Sequence, residues 1–437
     1  MSKSLARWSA RWSSASLLWA LVVATMITSL SGCYVAPDDR TKARMRLVNA
    51  TRDYATLDLH VDGSVRQSGV AYGGSASYVE VEPDHASSTI TTAGSATSLL
   101  SFTPSVSKNN EYAVLAFGKA GALRHVVIDE NQEAPASGKT GLRVVNAAPD
   151  AGDLDVYLTA DGDALPTAVA VHTGAAFGET SPALDVNGGT WRLRVTAASN
   201  KNDLRLDVAG LALPAGQVAV LVLTPSAGGT LVDALLIRQQ DAIEQASGAH
   251  ARVRAMAAVA SAGTVTAGVG GVSLLEAAAS PVAGNYRFVP AGAPALTISV
   301  NGNSVGAPAT ALVAGRDSTL LVYGAAASPT AVWLADDNQV PAASGTLRIR
   351  LVNATTGVAG NASLSVDGEA IGSGGVAEGA AGTYSEINAS TSATLSVSAG
   401  ATSLYSQTNQ SLVAGGVYTV FVTGSAGSTS GVIKRDR

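Results

Sequence analysis

At 437 residues the chain is too long for one ordinary core, and a prior of roughly 150 residues per domain suggests about three. With 28 Lys and Arg against 33 Asp and Glu, a formal charge of −5 and no basic cluster, it lacks the electrostatic footprint of a nucleic-acid binder, and one cysteine, Cys33, excludes an intramolecular disulfide. The 46 Gly, 15 Pro, 14% charged and 5% aromatic residues point to turn-rich β structure with aliphatic cores.

In chain order, the first element is an export leader. Lys3, Arg7 and Arg11 precede the apolar run "ASLLWALVVATMITSLSGC", Ala15–Cys33. The pattern is that of a signal peptide, and its core Leu17–Leu30 is short for a membrane span, which needs about 20 apolar residues. It ends in Leu30-Ser31-Gly32-Cys33, which resembles a bacterial lipobox. The resemblance implies cleavage between Gly32 and Cys33 and lipidation of Cys33, hence a membrane partner through the lipid anchor. Tyr34 is not Asp, and similarity to the sorting rule of Gram-negative lipoproteins then implies the outer membrane of the cell envelope. We expect 1-32 to be the signal peptide and 33-42 a lipidated polar tether.

Four repeats follow. "RLVNAT" at Arg46–Thr51 returns at Arg350–Thr355, and "RVVNAA" stands at Arg143–Ala148; a weaker copy begins "ARVRAMAAVASAGTVTAGVGG" at Ala251. The arginines Arg46, Arg143, Arg254 and Arg350 lie roughly 100 residues apart, too far for a solenoid unit of about 20–50 residues and suited to whole domains. The expected modules are 43-133, 141-240, 251-339 (divergent) and 347-435, joined by polar connectors such as "DENQEAPASGKT" and "DDNQVPAASGTL" that separate the cores.

Within each module the apolar period is two. In "LDLHVDG" Leu57, Leu59 and Val61 share one face while Asp58, His60 and Asp62 share the other. Asp62-Gly63, Asp161-Gly162 and Asp367-Gly368 supply turns that tolerate positive φ. The hexapeptide reads as the first strand, an edge strand with Met45 and Leu47 inward and Arg44 and Arg46 outward. About seven strands per module predict an all-β chain of four tandem immunoglobulin-like antiparallel β-sandwich modules. The opening Arg-[Leu/Val]-Val-Asn-Ala, followed by an acidic alternating strand and Asp-Gly, resembles the family called domain of unknown function 4397, found as tandem copies in exported bacterial proteins. That resemblance implies a β-rich exported module and no mechanism.

Asn49, Asn146 and Asn353 recur as ties at a strand end or turn. Asn49, Asn353, Asn361 and Asn388 begin glycosylation sequons, which are read as chance matches in a bacterial chain. "GNSVG" matches G-x-S-x-G at Ser304, yet no histidine follows His250, and a hydrolase elbow needs one downstream. Asp58, His60 and Asp62, and the group Asp150, Asp153, Asp155, Asp161 and Asp163, lack calcium-loop spacing and read as solvated faces and turns. No catalytic, metal or cofactor-binding residue is assigned, and no cofactor or nucleic acid is expected. The expected function is a non-enzymatic, lipid-anchored structural or interaction protein with an envelope protein or glycan as partner. The alternative is a binding protein for a small molecule or glycan.

Overall fold

In the first module β1 (Ala43–Asn49) and β7 (Glu111–Lys119) are buried at nearly every position, as strands covered on both faces are. β2 (Thr56–Val61) and β3 (Ser64–Ala71) alternate and have one open face. With β4 (Val79–Val81), β5 (Ser88–Thr92), β6 (Ser98–Phe102) and β8 (Ala122–Asp129) they form two sheets, ordered β4-β1-β7-β8 and β3-β2-β5-β6. The computed structural model describes residues 41–83 and 86–437, and from Lys42 onward they form one compact unit.

The same two-sheet sandwich recurs with strands over 139–246, 250–336 and 346–435. The architecture is all-β, as expected, and no α-helix occurs among the described residues. Module two continues past residue 240, because Ile243–Ala246 pairs with Val232–Arg238. That edge strand was hidden by its polar composition. Asp62 and Gly63, with φ of 50° and 76°, close β2 onto β3 as a two-residue hairpin. Asp367-Gly368 repeats this turn. Asp161-Gly162 does not, since the chain runs on into a 3-10 turn at Leu165–Thr167.

The pairing corrects two expectations. The sheets are not wholly antiparallel: β1 runs parallel to β7, with Met45 opposite Tyr112 and Asn49 opposite Ala116. Each other module has the equivalent parallel pair. Nor is the hexapeptide strand an edge. β1 lies between β4 and β7 and is buried on both sides.

The second burial comes from a neighbouring module. Met45 and Leu47 point into the core of module one. Val48, Leu115 and Phe117 point the opposite way, into a cluster shared with Val145, Val222 and Leu235 of module two. Phe177 meets Phe117 edge to face at 5.7 Å. Modules three and four are joined alike through Met256, Leu321, Val352 and Phe421. The two pairs also touch. Gly228 N–H donates to the Gly315 carbonyl at 2.7 Å, and Asp150 accepts from Val340 N–H at 2.8 Å while pairing with Lys119 at 2.7 Å. The connectors therefore do not separate the cores.

Candidate functional site

Gly32 and Cys33 lie outside the described residues. The repeated asparagines are structural ties. Asn49 is fully buried; its Nδ2 donates to the carbonyls of Tyr54 at 3.2 Å and Val70 at 3.1 Å, and its Oδ1 accepts from Thr51 N–H. One amide thus pins the end of β1 to the opposite sheet. Asn146 repeats this through Gly152, Ala175 and Ala148, and Asn353 through Val376 and Thr355.

The recurrent arginines build something the sequence did not disclose. Arg46 is 4% exposed, pairs bidentately with Glu130 and lies 5.0 Å over the Tyr78 ring. The Tyr78 hydroxyl donates to the same Glu130 at 2.5 Å. In modules three and four the arrangement is exchanged between partners. Arg254 binds Asp436 of module four and Arg350 binds Asp336 of module three, stacked 4.7 Å from Tyr286 and 4.6 Å from Tyr384 respectively. Tyr286 and Thr319 each donate to Asp336 at 2.6 Å. Burial would raise the Asp336 carboxyl, but Arg350 and Arg254 outweigh it and hold it below its ordinary value. Burial drives the Tyr286 hydroxyl well above its usual range. These stations fasten modules together.

By strand register, the second module is the one that departs. Ala183 and Gln239 stand where the others have tyrosine and acid, and Arg143 lines a small open cavity of about 190 Å³ with Val126, Ile128 and Thr180. The sequence marked module three as divergent because Ala257 replaces the asparagine. A tyrosine 32, 32 and 34 residues after Arg46, Arg254 and Arg350 was the available signal.

The acids read as solvated are partly misassigned. Asp58 is 3% exposed and accepts N–H groups from Gly69 at 2.6 Å and Gly94 at 2.9 Å. Burial raises its pKa, yet those bonds bring it below its ordinary value. Asp155 plays the same part with Gly174 and Ser199. A bulge in β3 folds backbone over the face that alternation left open. His60 meets Thr91, Asp62 accepts from Ser87 N–H, Asp163 accepts from Ala160 N–H, and the Asp161 carbonyl accepts from Arg192. Asp153 lies exposed at the start of the strand Leu154–Thr159. Ser304 sits exposed on the two-residue strand Asn303–Ser304, with no nucleophile elbow around it. Asn361 and Asn388 are exposed. No group of three or more His, Cys, Asp or Glu among the described residues is arranged to hold a metal.

Charge is also concentrated in a cleft of about 440 Å³ where modules two, three and four meet. Its cations are Arg205 from module two, Arg252, Arg254 and Arg287 from module three, and Lys434, Arg435 and Arg437 from module four. Arg205 bonds Asp203 at 2.7 Å and the Thr230 carbonyl at 3.2 Å, with its Nε unpartnered. Burial first, then the like charge of Arg252, pulls the Arg205 guanidinium down to about 10. Arg252 lies 3.3 Å from Asp317 without hydrogen-bond alignment and stacks 4.6 Å from Tyr286. Arg437 is also lowered, chiefly by burial, and its Nη1 is unpartnered.

Residues 43–157 and 251–360 match the profile of the family described as Domain of unknown function (DUF4397). No curated protein matches the chain. Among solved structures, the Bacillus anthracis TIE protein is similar at 10% identity and a TM-score of 0.15, covering 84% of this chain and 66% of that one. The product complex of a multi-modular glycogen-degrading pneumococcal virulence factor, SpuA, gives 8% identity and a TM-score of 0.16, covering 83% and 37%. The chain thus spans just under two thirds and just over one third of those two lengths.

Proposed function

Because the chain belongs to the family of DUF4397 domains, described as domains of unknown function, we propose its role from its build: a lipid-anchored cell-envelope protein that works as a non-enzymatic structural or interaction body. The observation that carries this reading is the fusion of the sandwiches. Apolar faces shared between modules and charges exchanged between them make one stiff body from four repeats, which suits a scaffold or adhesin-like part more than a flexible string. The leader and Cys33 supply the anchor in this reading, with the outer membrane as destination. The test is site-specific photo-crosslinking of the full chain in a Gram-negative host. Discrete adducts with envelope components, together with membrane retention, should vanish in Cys33→Ala. Unchanged membrane retention in that variant would defeat the anchoring, and absence of any adduct would defeat the interaction role.

A second reading, a non-catalytic binding protein for a small molecule or glycan, is favoured by one observation, the cationic cleft between modules two, three and four.

A further inference from the structure

The second reading becomes specific when the charges of the cleft are followed one by one. Arg254, at its floor, is matched by Asp436, and Arg252 faces Asp317 from behind. Those two cations are answered from within the protein. The others are answered less completely. Arg205 pairs with Asp203, whose side chain is 35% exposed, and bonds the Thr230 carbonyl. Lys434 reaches the amide oxygen of Asn285 at 3.0 Å, and Arg435 donates to the main-chain oxygen of Arg437, the last residue, at 2.7 Å. Arg287 is exposed and has no side-chain partner among the described residues. Seven cationic side chains therefore converge on one concavity lined by two acidic ones, Asp203 and Asp436.

The rest of the lining narrows the ligand. Asn200, Asn202 and Asn285 add amides that both donate to and accept from hydroxyls. The volume of about 440 Å³ lies within the ~300–1,000 Å³ of small-molecule sites, more than a bare ion needs. Tyr286 is held flat under Arg252 and Arg254, so its ring is not offered for base stacking, as single-stranded nucleic acid requires.

We propose that this cleft binds an acidic saccharide, a sugar bearing a carboxylate or phosphate, with Arg287 and Arg435 taking the acid and the asparagines taking hydroxyls. The proposal rests on the binding-protein reading and is independent of lipid anchoring. The exposed guanidinium groups of Arg287 and Arg435 are the donors such an acid satisfies.

The test is calorimetric titration of the full chain with oligogalacturonate, a phosphorylated disaccharide, a neutral oligosaccharide of the same length, inorganic phosphate alone and a short single-stranded oligonucleotide, at low and high salt. One or both acidic saccharides should bind, more weakly as salt rises, and whichever binds better identifies the acid. Arg287→Gln and Arg435→Gln should each weaken binding roughly tenfold, the effect of losing one charge-assisted bond. Both lie at the rim, and an unchanged urea transition will show that they fold. Phosphate alone or the oligonucleotide binding as tightly as the sugars would overturn the saccharide assignment. Equal binding of the neutral sugar, unaffected by either variant, would overturn the acidic specificity while leaving the binding-protein reading intact. No binding by any sugar would remove both.

Discussion

Replacing Asp336 by Ala is the sharpest perturbation of the module three–four junction. Asp336 is 4% exposed and accepts from Arg350, Tyr286 and Thr319. The substitution leaves Arg350, itself 2% exposed, as a buried charge whose remaining partners are neutral: the Ala335 carbonyl, the Thr419 hydroxyl and the Tyr384 ring. Removing one partner of a buried pair costs about 3–5 kcal/mol. Removing both need not, so Asp336→Ala combined with Arg350→Met should recover about 1–3 kcal/mol of that loss. The assay is urea denaturation of single and double variants, followed by a probe in each of modules three and four. Because Arg350 belongs to module four, both probes should shift together. The pH dependence has a definite sign. The folded pKa of Asp336 lies below its unfolded value, so its contribution is present above the unfolded pKa near 3.8 and is lost as pH falls through the folded one. Asp336→Ala should flatten that acid limb. Strictly additive variants, or a shift confined to module three, would refute the exchange of charges between modules.

Asn49→Ala should lower stability by roughly 2–3 kcal/mol, since it strands buried backbone groups at about 1–3 kcal/mol each. The shared cluster around Val48 and Val145 should carry part of the loss into module two, visible as a common shift in hydrogen exchange. Phe117→Ala, at 1% exposure in that cluster, should cost about 3–5 kcal/mol and make the connector near 134–140 the first site of limited proteolysis; a connector still resistant would mean the shared face contributes little.

The sandwich was legible because alternation in Leu57-Asp58-Leu59-His60-Val61 is a local signal. The burial of Arg46 was not, because the acid that makes it tolerable lies 84 residues away. An arginine alternating with Met45 and Leu47 looks solvated until the facing module and its carboxylate are known. Asp58 misled for a related reason, since a bulge in a different strand brings Gly69 over it. Asn49 was read correctly because a strand end is where a side-chain amide can replace lost ladder bonds. The cleft was invisible: its residues come from 200–205, 230, 252–254, 285–287 and 434–437, and no window of sequence holds more than one fragment.

The exchange of Arg254 with Asp436 has a bearing on inheritance. The two residues are 182 positions apart, and each module's acid answers its neighbour's arginine. A gene that lost module four would keep Arg254 and Asp336 in module three but strand an apolar face around Met256 and Leu321, a surface prone to association. A gene that gained a single extra copy would add another such face. Duplication or deletion is therefore tolerable in twos, and chains built on this plan should carry even numbers of modules, or a changed outer face wherever the number is odd.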